Sequence, residues 1–274
     1  MKKIDTNPSQ NAQGNILDKI VARKKEEIAI ARRKTPVIRL EESELFTREC
    51  YSMRDFILNP ALSGIIAEFK RKSPSKGIIN DKLSVKQVTN AYAAAGASAH
   101  SVLTDQSFFG GRKQDLIDAR KANNLPILRK DFMLDEYQII EAKALGADII
   151  LLIAAILTPS EIQKMARLAR HLGMNVLLEV HNREELERSL CDELDAVGVN
   201  NRNLGDFSVS VQHSYDLVDH IPSKFLKISE SGISDPATIK ELRDAGFDGF
   251  LIGENFMKEE DPGRAMEEFV KQIR

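Results

Sequence analysis

The chain of 274 residues has no tryptophan, two cysteines and five histidines, and only 6% of it is aromatic. Cys50 and Cys191 belong to no C-x-x-C or Cys/His cluster, which argues against structural zinc and against a disulfide framework. The longest apolar run, Ile149 to Leu157, falls far short of the roughly 20 residues a membrane span needs. The opening MKKIDTNPSQNAQGN has no apolar stretch of the kind a secretory signal carries. No charge sign dominates: 39 basic and 41 acidic residues leave a net charge of −2, without the basic stripe of a nucleic-acid binder. What remains, 42% hydrophobic and 29% charged, is an ordinary globular composition. The expectation is a soluble cytoplasmic protein that binds neither nucleic acid nor membrane.

Residues 1–14 are polar and expected to fray. Asn15 to Lys34 reads as a helix, with Ile16, Leu17, Ile20, Val21, Ile28 and Ile30 recurring at helical spacing until Pro36. A shorter amphipathic stretch, Ser52 to Leu58, follows a polar connector. Residues 1–63 therefore read as a helical extension, too short to be a separate domain. From Gly64 the texture changes. Short apolar runs alternate with amphipathic segments: Ile65–Phe69, Ser101–Leu103, Ile127–Leu128, Ile149–Ile153, Val176–Val180, Ala196–Val199, Phe225–Ile228 and Phe250–Ile252. Nearly all-apolar strands are buried on both faces, as in a parallel sheet covered by helices. Gly96, Gly146, Gly173 and Gly246 each stand between a helix and the next run, where a left-handed residue ends the helix. Eight such units over 64–274 predict a (β/α)₈ TIM barrel carrying an N-terminal helical extension. The competitor, a doubly wound open sheet, usually has fewer strands and a G-x-G-x-x-G turn that is missing here.

Chemistry in such a barrel belongs at the C-terminal ends of the strands. There the chain places Glu68 and Lys70, which share a face by strand alternation, then Lys130, Glu179, Asn200, Arg202 and Glu230. Glu179 lies inside an apolar strand, where a lone carboxylate is costly unless paired. Arg129 beside Lys130 leaves open which of the two points inward. Ser231-Gly232 and Gly253-Glu254 are short turns after the last two strands, where backbone N–H groups hold phosphate in many barrels. No His-rich or carboxylate-rich metal pattern stands out, so metal-free chemistry is expected. Read from the residues, this is acid–base catalysis on a small phosphorylated substrate.

Five stretches carry a resemblance: IAEFKRKSPS from Ile66, SVLTD from Ser101, PILRKDF from Pro126, GVNNRNL from Gly198 and SESGI from Ser229. In this order and at these strand ends they resemble the indole-3-glycerol-phosphate synthase family, barrel enzymes of tryptophan biosynthesis. The likeness runs from Asn15 to Arg274. It implies ring closure of 1-(2-carboxyphenylamino)-1-deoxyribulose 5-phosphate, with loss of carbon dioxide and water and no cofactor. It further implies Lys130 as general acid and Glu179 as general base. Glu68 and Lys70 would be a positioning and protonating pair. Asn200 and Glu230 would orient hydroxyls and lysines. Ser231, Gly232, Gly253 and the backbone of Glu254, with Lys70 nearby, would hold the phosphate. Arg202 and Ser73 would meet the carboxylate, and Phe109, Phe132 and Leu151 would wall the anthranilate ring. The family often has Ser where Glu254 stands, so this carboxylate would have to point away from bound phosphate. His100 falls at the wrong end of its strand for catalysis and reads as structural.

The loops Ser73 to Lys82 and Ser107 to Arg112 contain Gly77, Gly110 and Gly111 and are expected to close over substrate. A phosphoribosylanthranilate isomerase would need a Cys and an Asp as its acid–base pair, and neither cysteine lies at a strand end. A non-catalytic scaffold would be expected to lose rim residues, yet Lys70, Lys130 and Glu179 are intact. The expected state is a monomer or weak homodimer.

Overall fold

Eight short parallel strands close on themselves in a computed structural model that describes residues 16–203, 205 and 207–273. They are β1 Ile65–Phe69, β2 Ala99–Leu103, β3 Ile127–Lys130, β4 Ile149–Ile153, β5 Asn175–Val180, β6 Ala196–Asn200, β7 Leu226–Glu230 and β8 Gly249–Ile252. Each pairs with the next, and β8 pairs back onto β1 through Ala67 and Ile252. The fold is therefore a (β/α)₈ barrel. The expected fraying of residues 1–14, Asn15 of the first helix, Leu204 of the GVNNRNL stretch and Arg274 lie outside the described residues.

Alternation sorts each strand into two faces. Ile66, Ala99, Leu128, Ile149, Leu151, Leu177, Ala196, Leu226, Ile228 and Leu251 fill the barrel interior. Ile65, Ala67, Phe69, Val102, Ile150, Val176 and Val197 face the surrounding helices. Both faces are apolar, which is why the strands read as continuous apolar runs. The helix ends behave as the glycines imply: Gly96, Gly146, Gly173 and Gly246 have φ of 93°, 91°, 73° and 105°. His100, fully buried, alternates with the inward Ser101 and so faces outward, away from the mouth.

The extension forms helices Ile16–Lys34, Val37–Glu41 and Met53–Ile57. Sequence patterning leaves Val37–Glu41 as connector, because five residues show too little periodicity. It forms because Leu40 packs with Ile28, Tyr137 and Ala144. Met53 and Ile57 join the interior cluster, and the Met53 N–H donates to Asn175 Oδ1, 3.1 Å away at the start of β5. That short helix closes the N-terminal end of the barrel.

The first helix is latched to the opposite end. Lys24 is buried, with Nζ 2.9 Å from Asp105 Oδ2, 2.9 Å from Asp131 Oδ1 and 2.7 Å from Glu27 Oε2. Asp105 also accepts from the N–H groups of Phe108 and Phe109, at 2.8 and 3.2 Å. The expected loop Ser107 to Arg112 thus begins as a capped helix, Gln106–Phe109, closed by Gly110 at φ 66°. The expected loop Ser73 to Lys82 likewise contains part of a hairpin that pairs Lys72–Ser73 with Gly77–Ile78. Both are ordered by local hydrogen bonds that composition does not reveal.

Lys24→Met is expected to destabilise the fold by about 3–5 kcal/mol, because it strands a buried carboxylate at Asp105. The melting temperature should fall by about 10 °C. A melting curve unchanged within error would remove the latch from this account.

Candidate active site

At the C-terminal mouth Lys130 stands between two carboxylates. Its Nζ is 2.9 Å from Glu179 Oε2 and 2.8 Å from Glu230 Oε2. These come from β3, β5 and β7, so the contact crosses the barrel interior. Leu128 and Lys130 share the inward face, and Arg129 takes the other. Arg129 turns outward, is 1% exposed, and bonds Glu141 Oε2 at 2.8 Å and Asp131 Oδ2 at 3.2 Å. The ambiguity between neighbouring cations is thereby resolved.

The three charges tune one another. Burial works against the Lys130 charge, but Glu179, Glu230 and Glu68 hold its pKa above the ordinary lysine value. Burial also opposes the Glu179 carboxylate, yet Lys130, His181 and Asn200 outweigh it and hold that carboxyl below its usual range. Asn200 Nδ2 donates to Glu179 Oε1 at 3.0 Å. Glu230 goes the other way. Burial raises it, Lys130 lowers it, Glu179 and Glu68 raise it again, and it settles at about 7. Its Oε1 is buried without a hydrogen-bond partner among the described residues.

Two glycines make room for this cluster. A Cβ on Gly198 would fall 2.1 Å from Glu230 Oε1. Gly198 pairs with Glu179 in the β5–β6 register, so the space opposite Glu230 exists only because that residue lacks a side chain. Gly253, expected as a phosphate glycine, has a second reason to be glycine: a Cβ there would fall 2.6 Å from Glu68 Oε1. Glu68 Oε1 is 2.8 Å from Lys70 Nζ, and Ser101 Oγ donates to Glu68 Oε2 at 3.2 Å. Burial opposes the Glu68 charge, but Lys70 and Lys130 keep its carboxyl below the usual value.

On one side of the lysines the pocket is apolar. Phe109 and Phe132 stand with ring centroids 6.0 Å apart and line it together with Leu151. Ser73 and Arg202 reach the same pocket. Ile16, Leu17 and Ile20 of the extension line it too. Sequence reasoning missed these three, although their helical spacing showed that one face of the helix had to be covered.

On the other side lies a polar hollow lined by Lys70, Lys76, Ser231, Gly232, Gly253 and Glu254. Ser231 and Gly232 are consecutive left-handed residues, at φ 68° and 77°. Asn201 Nδ2 holds the turn, donating to Ser231 O at 3.1 Å. The Glu254 carboxylate pairs with Arg202 Nη2 at 3.5 Å and stands 3.9 Å from Lys76 Nζ. It lies near these cations while staying partly exposed, and Arg202 sits where the two hollows meet. All fifteen residues expected at the site thus border one mouth. The three extension residues complete it, and Gly198 and His181 stand against its charged cluster.

Among the described residues no helix is long and apolar enough to cross a membrane. Solved structures of similar shape share only the fold. A crystal structure of KGPDC from Streptococcus mutans superposes with a TM-score of 0.57 at 11% identity, covering 76% of this chain and 97% of that one. A chain of the Pyrococcus furiosus tryptophan synthase complex gives 0.55 at 16% identity, covering 77% of this chain and 98% of the other. Sequence comparison goes further. The indole-3-glycerol phosphate synthase of Bacteroides thetaiotaomicron is 46% identical over 259 residues, covering 94% of this chain and 99% of that protein. That of a Polaromonas species is 45% identical over 255 residues, covering 92% and 97%. The family model for indole-3-glycerol phosphate synthase matches residues 17–269. With that match spanning nearly the whole barrel and its first helix, the chain belongs to the indole-3-glycerol phosphate synthase family.

Proposed function

We propose that this mouth carries out the family's ring closure, with Lys130 as general acid and Glu179 as general base. The reaction is a carboxy-lyase step of tryptophan biosynthesis: 1-(2-carboxyphenylamino)-1-deoxyribulose 5-phosphate gives indole-3-glycerol phosphate, carbon dioxide and water. The observation that carries the reading is the position of Lys130 Nζ, bridging Glu179 and Glu230 between an aromatic wall and a left-handed turn.

The substrate fits the two hollows by its chemistry. Phe109, Phe132 and Leu151 take the anthranilate ring. Ser231, Gly232, Gly253 and the Glu254 backbone, with Lys70, take the phosphate, since a turn presenting N–H groups suits a dianion. Ser73 and Arg202 hold the substrate carboxylate, a guanidinium matching its fork. That contact requires Arg202 to leave Glu254 when substrate arrives.

Ring closure starts when the ring carbon bearing the carboxylate attacks the ribulose C2 carbonyl. Lys130 protonates the carbonyl oxygen as its negative charge grows. Glu230, with a carboxyl near 7, can hold the proton that recharges Lys130. Carbon dioxide then leaves and the ring regains aromaticity. Dehydration follows, with Glu179 removing a proton while Lys70 protonates the departing hydroxyl, which leaves as water. Glu68 orients Lys70, and Asn200 orients Glu179 and a substrate hydroxyl.

Residues 16–63 serve as a latched extension of one catalytic unit, with the barrel from 64 to 273. The balanced net charge of −2 suits a cytoplasmic enzyme that acts on a free metabolite, as a monomer or weak homodimer. The direct test mixes purified protein with the carboxyphenylamino-deoxyribulose phosphate and follows indole fluorescence. Fluorescence should grow until substrate is consumed. A flat trace from folded protein would overturn the reading.

A further inference from the structure

One titratable side chain touches the cluster without lining the pocket. His181 follows β5 directly, and its side chain is 12% exposed. Its ring lies between two carboxylates. Nδ1 is 3.1 Å from Glu185 Oε2, and the His181 backbone N–H donates to the same oxygen at 2.8 Å. Nε2 points the other way, 3.5 Å from Glu179 Oε1, and is buried without a hydrogen-bond partner among the described residues. A neutral imidazole has one N–H and one lone pair, so between two carboxylates one of its nitrogens would face an anion with its lone pair. An imidazolium presents a donor to each.

Anionic side chains face the ring from three elements. Glu179 comes from its own strand, Glu185 from helix Arg183–Ser189, and Glu230 from β7. The nearest cation of the cluster, Lys130 on β3, is occupied by Glu179 and Glu230. Arg188 donates to the carbonyl oxygens of Ala154 and Leu157, at 2.6 and 3.3 Å. The carboxylates sharing Lys130 are therefore not equivalent. Glu179 is ringed by Lys130, Asn200 and His181, whereas Glu230 has Lys130 alone among the described residues.

We propose that His181 is a positioning residue for the reaction: held as an imidazolium by Glu185, it keeps Glu179 ionised and leaves the site's mobile proton to Glu230. The role rests on the reading of Glu179 as general base and deepens it. Burial opposes the His181 charge, but Glu185 and Glu179 outweigh it and raise its pKa above the ordinary histidine value. The ring then keeps its charge to higher pH than an ordinary histidine and loses it as pH rises past its raised value. A nearby cation lowers a carboxyl by about 1–3 units, so Glu179 should titrate higher once the imidazolium is gone.

The test has two arms on the full chain. In the first, histidine imidazole resonances are followed by NMR against pH, with exposed His171 and His220 as internal references. His181 should titrate at higher pH than they do, and Glu185→Gln should remove most of that gap. In the second, kcat/KM is measured against pH. His181→Gln should shift the acid limb upward by about one unit or more, a tenfold loss well below the limb, with KM little changed. His181→Lys, which keeps a cation, should move the limb back. If His181→Gln does not fold, Glu185→Gln carries the second arm, since it keeps the ring and removes its anchor. His181 titrating with the exposed histidines overturns the proposal, as does an unmoved acid limb in a folded variant. Neither result disturbs the reaction itself, which fails only if wild-type protein does not turn over.

Discussion

Lys130→Met should lower kcat by about 10³-fold, within the range that loss of a general acid or base produces. Two effects combine. The proton donor to the carbonyl oxygen is gone, and Glu179 and Glu230 are left buried without the cation they share. Two carboxylates this close cannot both stay ionised, so one takes up a proton and Glu179 loses basicity. The variant should also be less stable by about 3–5 kcal/mol, the usual cost of breaking a buried ion pair from one side. The pH dependence has a definite sign. A carboxyl raised in the folded state, as Glu230 is at about 7, contributes stability that is present below the unfolded value and is lost as pH rises through the folded one. Without Lys130 that window moves higher still. Urea unfolding at pH 6 and pH 8 should show a larger deficit at pH 8. Turnover within tenfold of wild type would refute the role of Lys130.

Glu179→Gln should cost about 10²–10⁴-fold in kcat while KM stays within a few-fold. Glutamine matches the shape, so the strand and pocket should keep their form. It cannot match the chemistry. Asn200 and Lys130 both present donors to this side chain, and a glutamine offers a single acceptor oxygen. The defect should fall on dehydration, the step assigned to the base. In a single turnover, release of carbon dioxide should therefore run ahead of indole fluorescence. If both slow equally, Glu179 acts earlier than proposed. If neither slows, it is not the base.

Several features of the fold could be read directly from residue order. The strands were visible because both barrel faces bury apolar side chains. The run Ile149–Ile153 coincides with β4, and Ile65–Phe69 with β1. The helix-ending glycines were visible because a left-handed φ is cheap only without a Cβ. Glu179 stood out because a carboxylate inside an apolar strand needs a partner.

Other features depended on contacts between distant parts of the chain. Lys24 carries no signal of its own in the stretch Asn15 to Lys34, yet its Nζ is buried against Asp105 and Asp131. Gly198 looked like part of a motif, yet it is the clearance for Glu230. His181 carries no signal of its own in the sequence, yet it lies between Glu185 and Glu179.

Residue order alone therefore sets the strands, their two faces and the polar groups at their C-terminal ends, because periodicity and backbone conformation are local properties. It also sets the family, through motifs that keep their order along the chain. Which carboxylate meets which cation is not local. Closure of the ring brings Lys130 to Glu230, 100 residues away, and burial at that meeting point pushes one carboxyl up while Lys130, His181 and Asn200 hold the other down. The proposed division of the site into a proton holder and a base rests on that packing, since a pKa depends on what surrounds the group rather than on its neighbours in the chain.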